Sequence, residues 1–187
     1  SMCGRYLFNP ITGELDEYYK IALGMGPAKQ GEVFPSEQVI TLGSGEDQKM
    51  RLAFTRWGFS HPKSKQLIIN ARSETVQEKP TFAPSFANKR CLFPMTGFYE
   101  WGADKQKYLF TSSDEGPLYV AGLYRLVADR VESVILTTEP NDLVAPIHNR
   151  MPLIIPKDAI RGWLNDLATA EGLLAKTDTT SLVITAA

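Results

Sequence analysis

Residues 91–101 read Cys91-Leu92-Phe93-Pro94-Met95-Thr96-Gly97-Phe98-Tyr99-Glu100-Trp101. The residues alternate well enough to predict a β-strand, and 107–112, 118–125 and 131–138 predict three more. Working back toward the start, 50–57 and 39–42 read as strands joined by the turn Gly43-Ser44-Gly45-Glu46-Asp47. Leu67-Ile68-Ile69 is a short buried strand ending at Asn70, and residues 3–8 form an opening strand. Residues 13–21 carry a weak helical pattern, and 24–31 read as a Gly-rich loop. Short helices are expected near 73–78, 84–88, 156–165 and 169–175, with a strand at 151–155 and a closing strand at 182–185. Many short strands with few helices predict an α+β fold. Its centre is a curved, mostly antiparallel, barrel-like sheet with short peripheral helices, because strand edges must be paired or closed.

The chain has 187 residues and 43% hydrophobic content, enough for one domain, 1–187, with its own core. No repeat, low-complexity tract or linker divides it, and no apolar run reaches the 18 or so residues of a membrane span. Neither a secretory leader nor a disulfide framework is visible, since the cysteines are Cys3 and Cys91 alone; a reducing, cytoplasmic setting is expected. Two histidines and two cysteines at unrelated spacings support no metal site, and no phosphate loop or dinucleotide fingerprint implies a cofactor. The net charge of −1 argues against a generally basic nucleic-acid binder. Residues 49–107, however, hold eleven Lys/Arg against four acids, and so could present a local positive face to a polyanion or merely a mixed solvated surface.

The first residues, Ser1-Met2-Cys3-Gly4-Arg5-Tyr6, put a cysteine directly after what reads as a start methionine, with Ser1 a residue left by cloning. Removal of Met2 would give Cys3 a free α-amine of pKa about 8 beside a thiol of pKa about 8.5. Such a pair can attack one electrophilic carbon twice and close a five-membered ring, which an internal cysteine cannot do. With Ser1 and Met2 present, that amine is locked in a peptide bond.

Three further polar clusters interrupt apolar strands: Asn70-Ala71-Arg72-Ser73-Glu74, Gly97-Phe98-Tyr99-Glu100-Trp101 and Ile147-His148-Asn149-Arg150-Met151-Pro152. Glu100, flanked by aromatics, is either a water-excluded acid suited to proton transfer or an outward residue with Tyr99 and Trp101 turned in. His148 is either a loop proton shuttle or a surface histidine, and His61 is assigned to the surface. Asn70 could hold Cys3 or cap a following helix. Arg5, Arg72 and Arg150 suit phosphate oxygens or ion pairs with a residue such as Glu74. Trp57, Trp101 and Phe98 could stack on unpaired bases or belong to the core, and Cys91 reads as a small buried hydrophobe.

Together, Met2-Cys3-Gly4-Arg5-Tyr6, the Asn70–Glu74 cluster, Gly97–Trp101 and His148-Asn149-Arg150-Met151-Pro152 strongly resemble the SRAP family (SOS-response-associated peptidase), in order and spacing over nearly the whole chain. The resemblance implies the SRAP fold and an enzyme that senses and shields abasic sites in single-stranded DNA. The Cys3 amine would capture the ring-opened sugar aldehyde and the thiol would close a thiazolidine crosslink. It implies Cys3, Asn70, Glu100 and His148 as catalytic residues. Arg5, Pro35, Trp57, Arg72, Trp101, Thr137 and Arg150 are implied as DNA contacts, with Pro35 wedging against duplex DNA and Thr137 touching DNA or sugar. Phe34 and Gly102 depart from the family pattern. Autoproteolytic removal of the start methionine, reversal of the crosslink with lyase-like chemistry, and a monomeric cytoplasmic protein (nucleoid-associated if bacterial) complete the expectation. Two competing readings are an N-terminal-nucleophile glutamine amidohydrolase, which also begins Met-Cys-Gly, and a non-catalytic single-stranded DNA binder using Arg and Trp only.

Overall fold

The run at 91–101 breaks at Thr96 into two strands that belong to different sheets. In the computed structural model, which describes residues 3–11, 13–175 and 181–187, the strands are β1 (Tyr6–Phe8), β2 (Gly31–Val33), β3 (Gln38–Ser44), β4 (Met50–Trp57), β5 (Phe59–His61), β6 (Ser64–Ile68) and β7 (Asn70–Arg72). They continue as β8 (Arg90–Met95), β9 (Gly97–Trp101), β10 (Lys107–Ser112), β11 (Leu118–Val127), β12 (Arg130–Thr138), β13 (Met151–Pro152) and β14 (Leu182–Ala186). The helices are α1 (Gly13–Leu23), α2 (Ala83–Asn88), α3 (Ile160–Asn165) and α4 (Leu167–Leu174). Ser1 and Met2, on which the start-site reading falls, lie outside the described residues.

Strands β11, β8, β3, β4 and β12 close into a five-stranded barrel, because β11 pairs with β8 on one side and with β12 on the other. Pairing is antiparallel except where β12 runs parallel to β4 and β7. The second sheet, in the order β14-β10-β9-β1-β2, is antiparallel throughout and is reached through the break at Thr96. That break is held by the Thr96 N–H on Leu7 O (2.8 Å) and the Asn9 N–H on Thr96 Oγ1 (2.9 Å). Gly97 follows because any Cβ there would lie 2.3 Å from Phe110 O.

Alternation explains the layering. On β8, Cys91, Phe93 and Met95 face the core that holds Tyr6, Trp57, Phe98 and Phe110, while Leu92 faces the core under the helices. On β12, Ile135 points to the first and Val134 and Leu136 to the second. Tyr6 joins the sheets by packing on Trp57 (ring centroids 5.3 Å apart) and Phe93 (6.2 Å). Over the outer face of the barrel, the buried Trp163 of α3 donates from Nε1 to Cys91 O at 2.8 Å. Arg90, buried without a carboxylate, satisfies the terminal carbonyls of α2 and α3 through Phe86 O and Trp163 O, both at 2.6 Å.

Residues 73–80 form successive turns, not the expected helix, and Thr75–Lys79 closes on itself through backbone bonds. The expected loop at 24–31 ends by entering β2; of the expected strand at 67–69, Leu67 and Ile68 close β6, whose first residues, like β5, carried too polar a pattern to be read as strand. No helix of the described residues is long and apolar enough to cross a membrane.

Candidate active site

Antiparallel pairing of β1 with β9 sets the centre of the site. Tyr6 lies opposite Phe98, and the Tyr99 N–H donates to Arg5 O at 3.0 Å. Continuing that register brings Cys3 alongside the end of β9. There the Cys3 backbone N–H donates to Glu100 Oε2 at 2.9 Å. Cys3 holds a left-handed φ of 44°, a strained conformation for a residue with a Cβ.

Glu100 points inward. It shares a strand face with Phe98, which stacks on Phe110 at 5.1 Å, while Tyr99 and Trp101 take the opposite face. Of the two orientations open from sequence, the water-excluded one is found: Glu100 is 1% exposed and Cys3 3%. Burial raises the Glu100 pKa against the lowering influence of its bonds to Cys3 and of His148 nearby. Burial first, then the neighbouring Glu100 charge, pushes the Cys3 thiol well above its usual range. The thiol is therefore protonated at neutral pH.

His148 presents Nε2 at 3.8 Å from Glu100 Oε1. Its other nitrogen, Nδ1, lies 3.2 Å from the Arg150 N and 3.3 Å from Arg150 O, so the Arg150 backbone orients the ring whichever nitrogen carries the proton. The loop that carries His148 is held by Asn141 Oδ1, which accepts from the Leu143 and Val144 N–H groups, and by the His148 N–H on Val144 O.

Arg150 buttresses this loop. Its two terminal nitrogens donate to Glu74 at 2.8 and 3.0 Å, and Nη2 also to Thr137 Oγ1 at 3.1 Å. Arg150 is 6% exposed, and in this structure its fork is occupied by Glu74 and Thr137. Thr137 is fully buried beside it and presents no surface to a sugar. Trp57 is fully buried too, its ring against Tyr6 and its Nε1 on Ile69 O; it is core, not a base-stacking residue. In this structure all three side chains are buried and hold protein partners.

Asn70 opens β7 beside β12, opposite Ile135, and its amide nitrogen donates to Ile69 O at 3.2 Å. Its hydrogen bond among the described residues therefore goes to Ile69 and not to Cys3. Arg72 is exposed at the other end of β7. Pro35 is half-buried in the turn after Phe34. Arg5 lies over the Trp101 ring at 5.0 Å and the Phe34 ring at 4.1 Å, and reaches Glu32 with Nη1 at 3.4 Å. Glu32 and Lys107 were not singled out from sequence, and Phe34 was given no role there. The Lys107 side chain lies 4.3 Å from the centroid of the Tyr99 ring, and the turn signal at 102–105 in principle foretold its pairing with Trp101. Three of the cations in the basic stretch 49–107 are taken up by the protein itself. Arg90 is buried, Arg51 pairs with Asp47, and Arg56 turns to Glu132 alongside Arg125 and Arg130.

Among known proteins, the chain is 30% identical over 190 residues to the abasic site processing protein YoaM of Bacillus subtilis, covering 92% of this chain and 83% of that one. It is 27% identical to the abasic site processing protein YedK of Escherichia coli over 87% of this chain and 79% of the relative. A solved protein of Bordetella bronchiseptica superposes with a TM-score of 0.81 at 22% identity over 99% of both chains, which bears on the fold. One of Bacteroides thetaiotaomicron superposes with a TM-score of 0.73 at 25% identity, over 90% and 88%. The chain start, the Asn70 strand, the Glu100 strand and the His148 loop all lie within residues 2–186, which match the profile described as SOS response associated peptidase (SRAP), and the chain belongs to that family.

Proposed function

We propose that this protein recognises abasic sites in single-stranded DNA and captures them through Cys3 once Met2 has been removed. The observation that carries the reading is the line Cys3 N–Glu100–His148, at 2.9 and 3.8 Å, with Cys3 and Glu100 buried and the His148 side chain 17% exposed. The named abasic site processing relatives support the substrate class.

In the processed chain the nitrogen bonded to Glu100 Oε2 is a primary amine. The buried carboxylate takes a proton from its ammonium form, and the lone pair then attacks C1′ of the ring-opened sugar. The carbinolamine loses its hydroxyl as water, using a proton returned by Glu100 or by His148 Nε2, and an imine forms. The Cys3 sulfur next bonds to the same carbon, the C=N π electrons move to nitrogen, and the thiol proton ends on that nitrogen. Atoms balance with one water released. The product thiazolidine lacks the electron sink that makes an imine prone to strand cleavage. Arg5, Arg72 and Trp101, on the accessible side, would hold the strand, with Pro35 at the edge of a duplex; Asn70 would orient Cys3 after processing. Glu100 is also placed to protonate the ring in reversal, and autoproteolytic exposure of Cys3 would use the same carboxylate.

The test is a denaturing gel of processed protein with abasic and intact oligonucleotides. A band retained after denaturation with the abasic strand alone is expected. Its absence with a verified N-terminal Cys3 refutes the proposal.

A further inference from the structure

Phe34 lies in a series of aromatic rings and cations outside the Cys3 seam. Arg5 stacks between Phe34 (4.1 Å) and Trp101 (5.0 Å), and Lys107 lies by Trp101 at 5.8 Å and over Tyr99 at 4.3 Å. One carboxylate, Glu32 Oε1, collects both cations, from Arg5 at 3.4 Å and Lys107 at 2.8 Å. The three charged groups are partly open, with side-chain exposures of 29% for Arg5, 24% for Lys107 and 38% for Glu32. Phe34 is 39% exposed, although its turn is tightly held. Its N–H donates to Glu37 Oε1 at 2.7 Å, and the turn is tied to β4 by Ser36 N–H on Trp57 O (2.8 Å) and Trp57 N–H on Glu37 O (3.0 Å). A large aromatic held rigid yet open is costly to leave in water, and nothing in the core requires it.

We infer that Phe34, Arg5 and Trp101 form a platform on which an unpaired base next to the abasic sugar stacks, and that Glu32 occupies the place of the neighbouring phosphate in the free protein. The inference rests on the strand-capture reading above and assigns it three residues beyond those expected from sequence: Phe34, Glu32 and Lys107. The exchange is physically easy. Partly exposed ion pairs contribute little, so a phosphate can displace the Glu32 carboxylate from Arg5 and Lys107 without a large loss. The base adds π-stacking that the free protein lacks.

The experiment uses an oligonucleotide with a tetrahydrofuran at the lesion position and 2-aminopurine beside it. It carries no aldehyde, so binding is read without Cys3 chemistry. The wild-type chain is expected to quench the 2-aminopurine. Phe34→Ala is expected to bind about tenfold more weakly, with quenching lost and melting temperature unchanged, and Phe34→Trp to restore both. Glu32→Gln is expected to bind more tightly. Unaltered binding and quenching by Phe34→Ala overturn the platform. Weaker binding by Glu32→Gln overturns the phosphate placement, because it makes Glu32 a support for the cations. A wild-type protein that crosslinks an aldehyde strand yet shows no Phe34 effect refutes this inference alone. Phe34-dependent binding without any crosslink refutes the capture chemistry alone.

Discussion

Glu100→Gln should move two measurements in opposite directions. The substitution keeps shape, and the glutamine carbonyl can still accept the Cys3 N–H now at 2.9 Å from Oε2, so the β1–β9 register is preserved. What it removes is a carboxylate 1% exposed whose pKa burial has raised. A raised carboxyl pKa means the folded state binds protons more readily than the unfolded one. The charged group then weakens the fold as pH rises above the unfolded value of about 4.3. In the chain that retains Ser1-Met2, the bonded nitrogen is a neutral amide and offers no compensating charge. Removing the charge there should stabilise the protein at pH 7, by about 1 kcal/mol on the precedent of buried charges replaced by neutral isosteres. The gain should vanish near pH 4, where the wild-type carboxyl is protonated as well. In the processed chain the same change removes the proton acceptor for the amine, and general acid–base steps of this kind contribute about 100-fold or more. Urea unfolding at pH 7 and pH 4 reads the first effect, and the rate of denaturation-resistant adduct formation reads the second. A variant that is destabilised at pH 7, or that crosslinks within about threefold of wild type, would show that Glu100 is structural.

Four further outcomes follow from the same geometry. Arg150→Met should lower stability by about 2–3 kcal/mol, since it breaks charge-assisted bonds to Glu74 and the buried Thr137. Glu74 is held below the usual carboxylate range chiefly by its hydrogen bonds to Arg150. This stabilisation is present above the unfolded carboxyl pKa and is lost as pH falls through the folded one, so the difference in urea midpoint should shrink in acid. Trp57→Ala should cost about 3–5 kcal/mol by opening a cavity between Tyr6 and Phe93. Trp101→Ala should leave the melting temperature unchanged and weaken single-stranded DNA binding, as measured by fluorescence anisotropy. Finally, the chain still carrying Ser1-Met2 should form no adduct until intact-mass measurement shows Cys3 at its start.

The barrel strands were legible because their signal is local. Residues 118–125 and 131–138 carry apolar side chains on both alternating faces, and each face finds its own core. The break inside 91–101 was not legible. Thr96-Gly97 looks like ordinary strand, and the reason for the break, Phe110 O within 2.3 Å of any Cβ on Gly97, comes from a strand ten residues on. The site divides in the same way. Cys3, Glu100 and His148 were chosen for residue type and motif, and the fold brings them together. Trp57 and Trp101 were indistinguishable as letters, yet one fills the barrel and the other lies beside Arg5. Which face a tryptophan takes depends on strand register, and register is a long-range property.

That dependence on register also explains why the reactive chain start needs a whole domain behind it. A vicinal amine and thiol would capture an aldehyde in a short peptide as well, but without selectivity for DNA and with no proton acceptor in place. Here β1 is only three residues long and is held between β2 and β9, so the position of Cys3 is set by its neighbours and not by its own strand. β9 supplies Glu100 to the buried side and Trp101 to the open side from consecutive positions, the one proposed here for proton transfer and the other for contact with a strand. A one-residue slip of β9 against β1 would exchange them, burying the tryptophan and exposing the carboxylate. The Gly97 contact with Phe110 O forbids a side chain at that position and helps fix the register. Gly97→Ala should therefore abolish crosslinking, although Gly97 lies outside the reacting groups, and should do so with the barrel still folded by circular dichroism. Retained crosslinking by a folded Gly97→Ala protein would show that the alignment of Cys3 with Glu100 does not depend on this close approach.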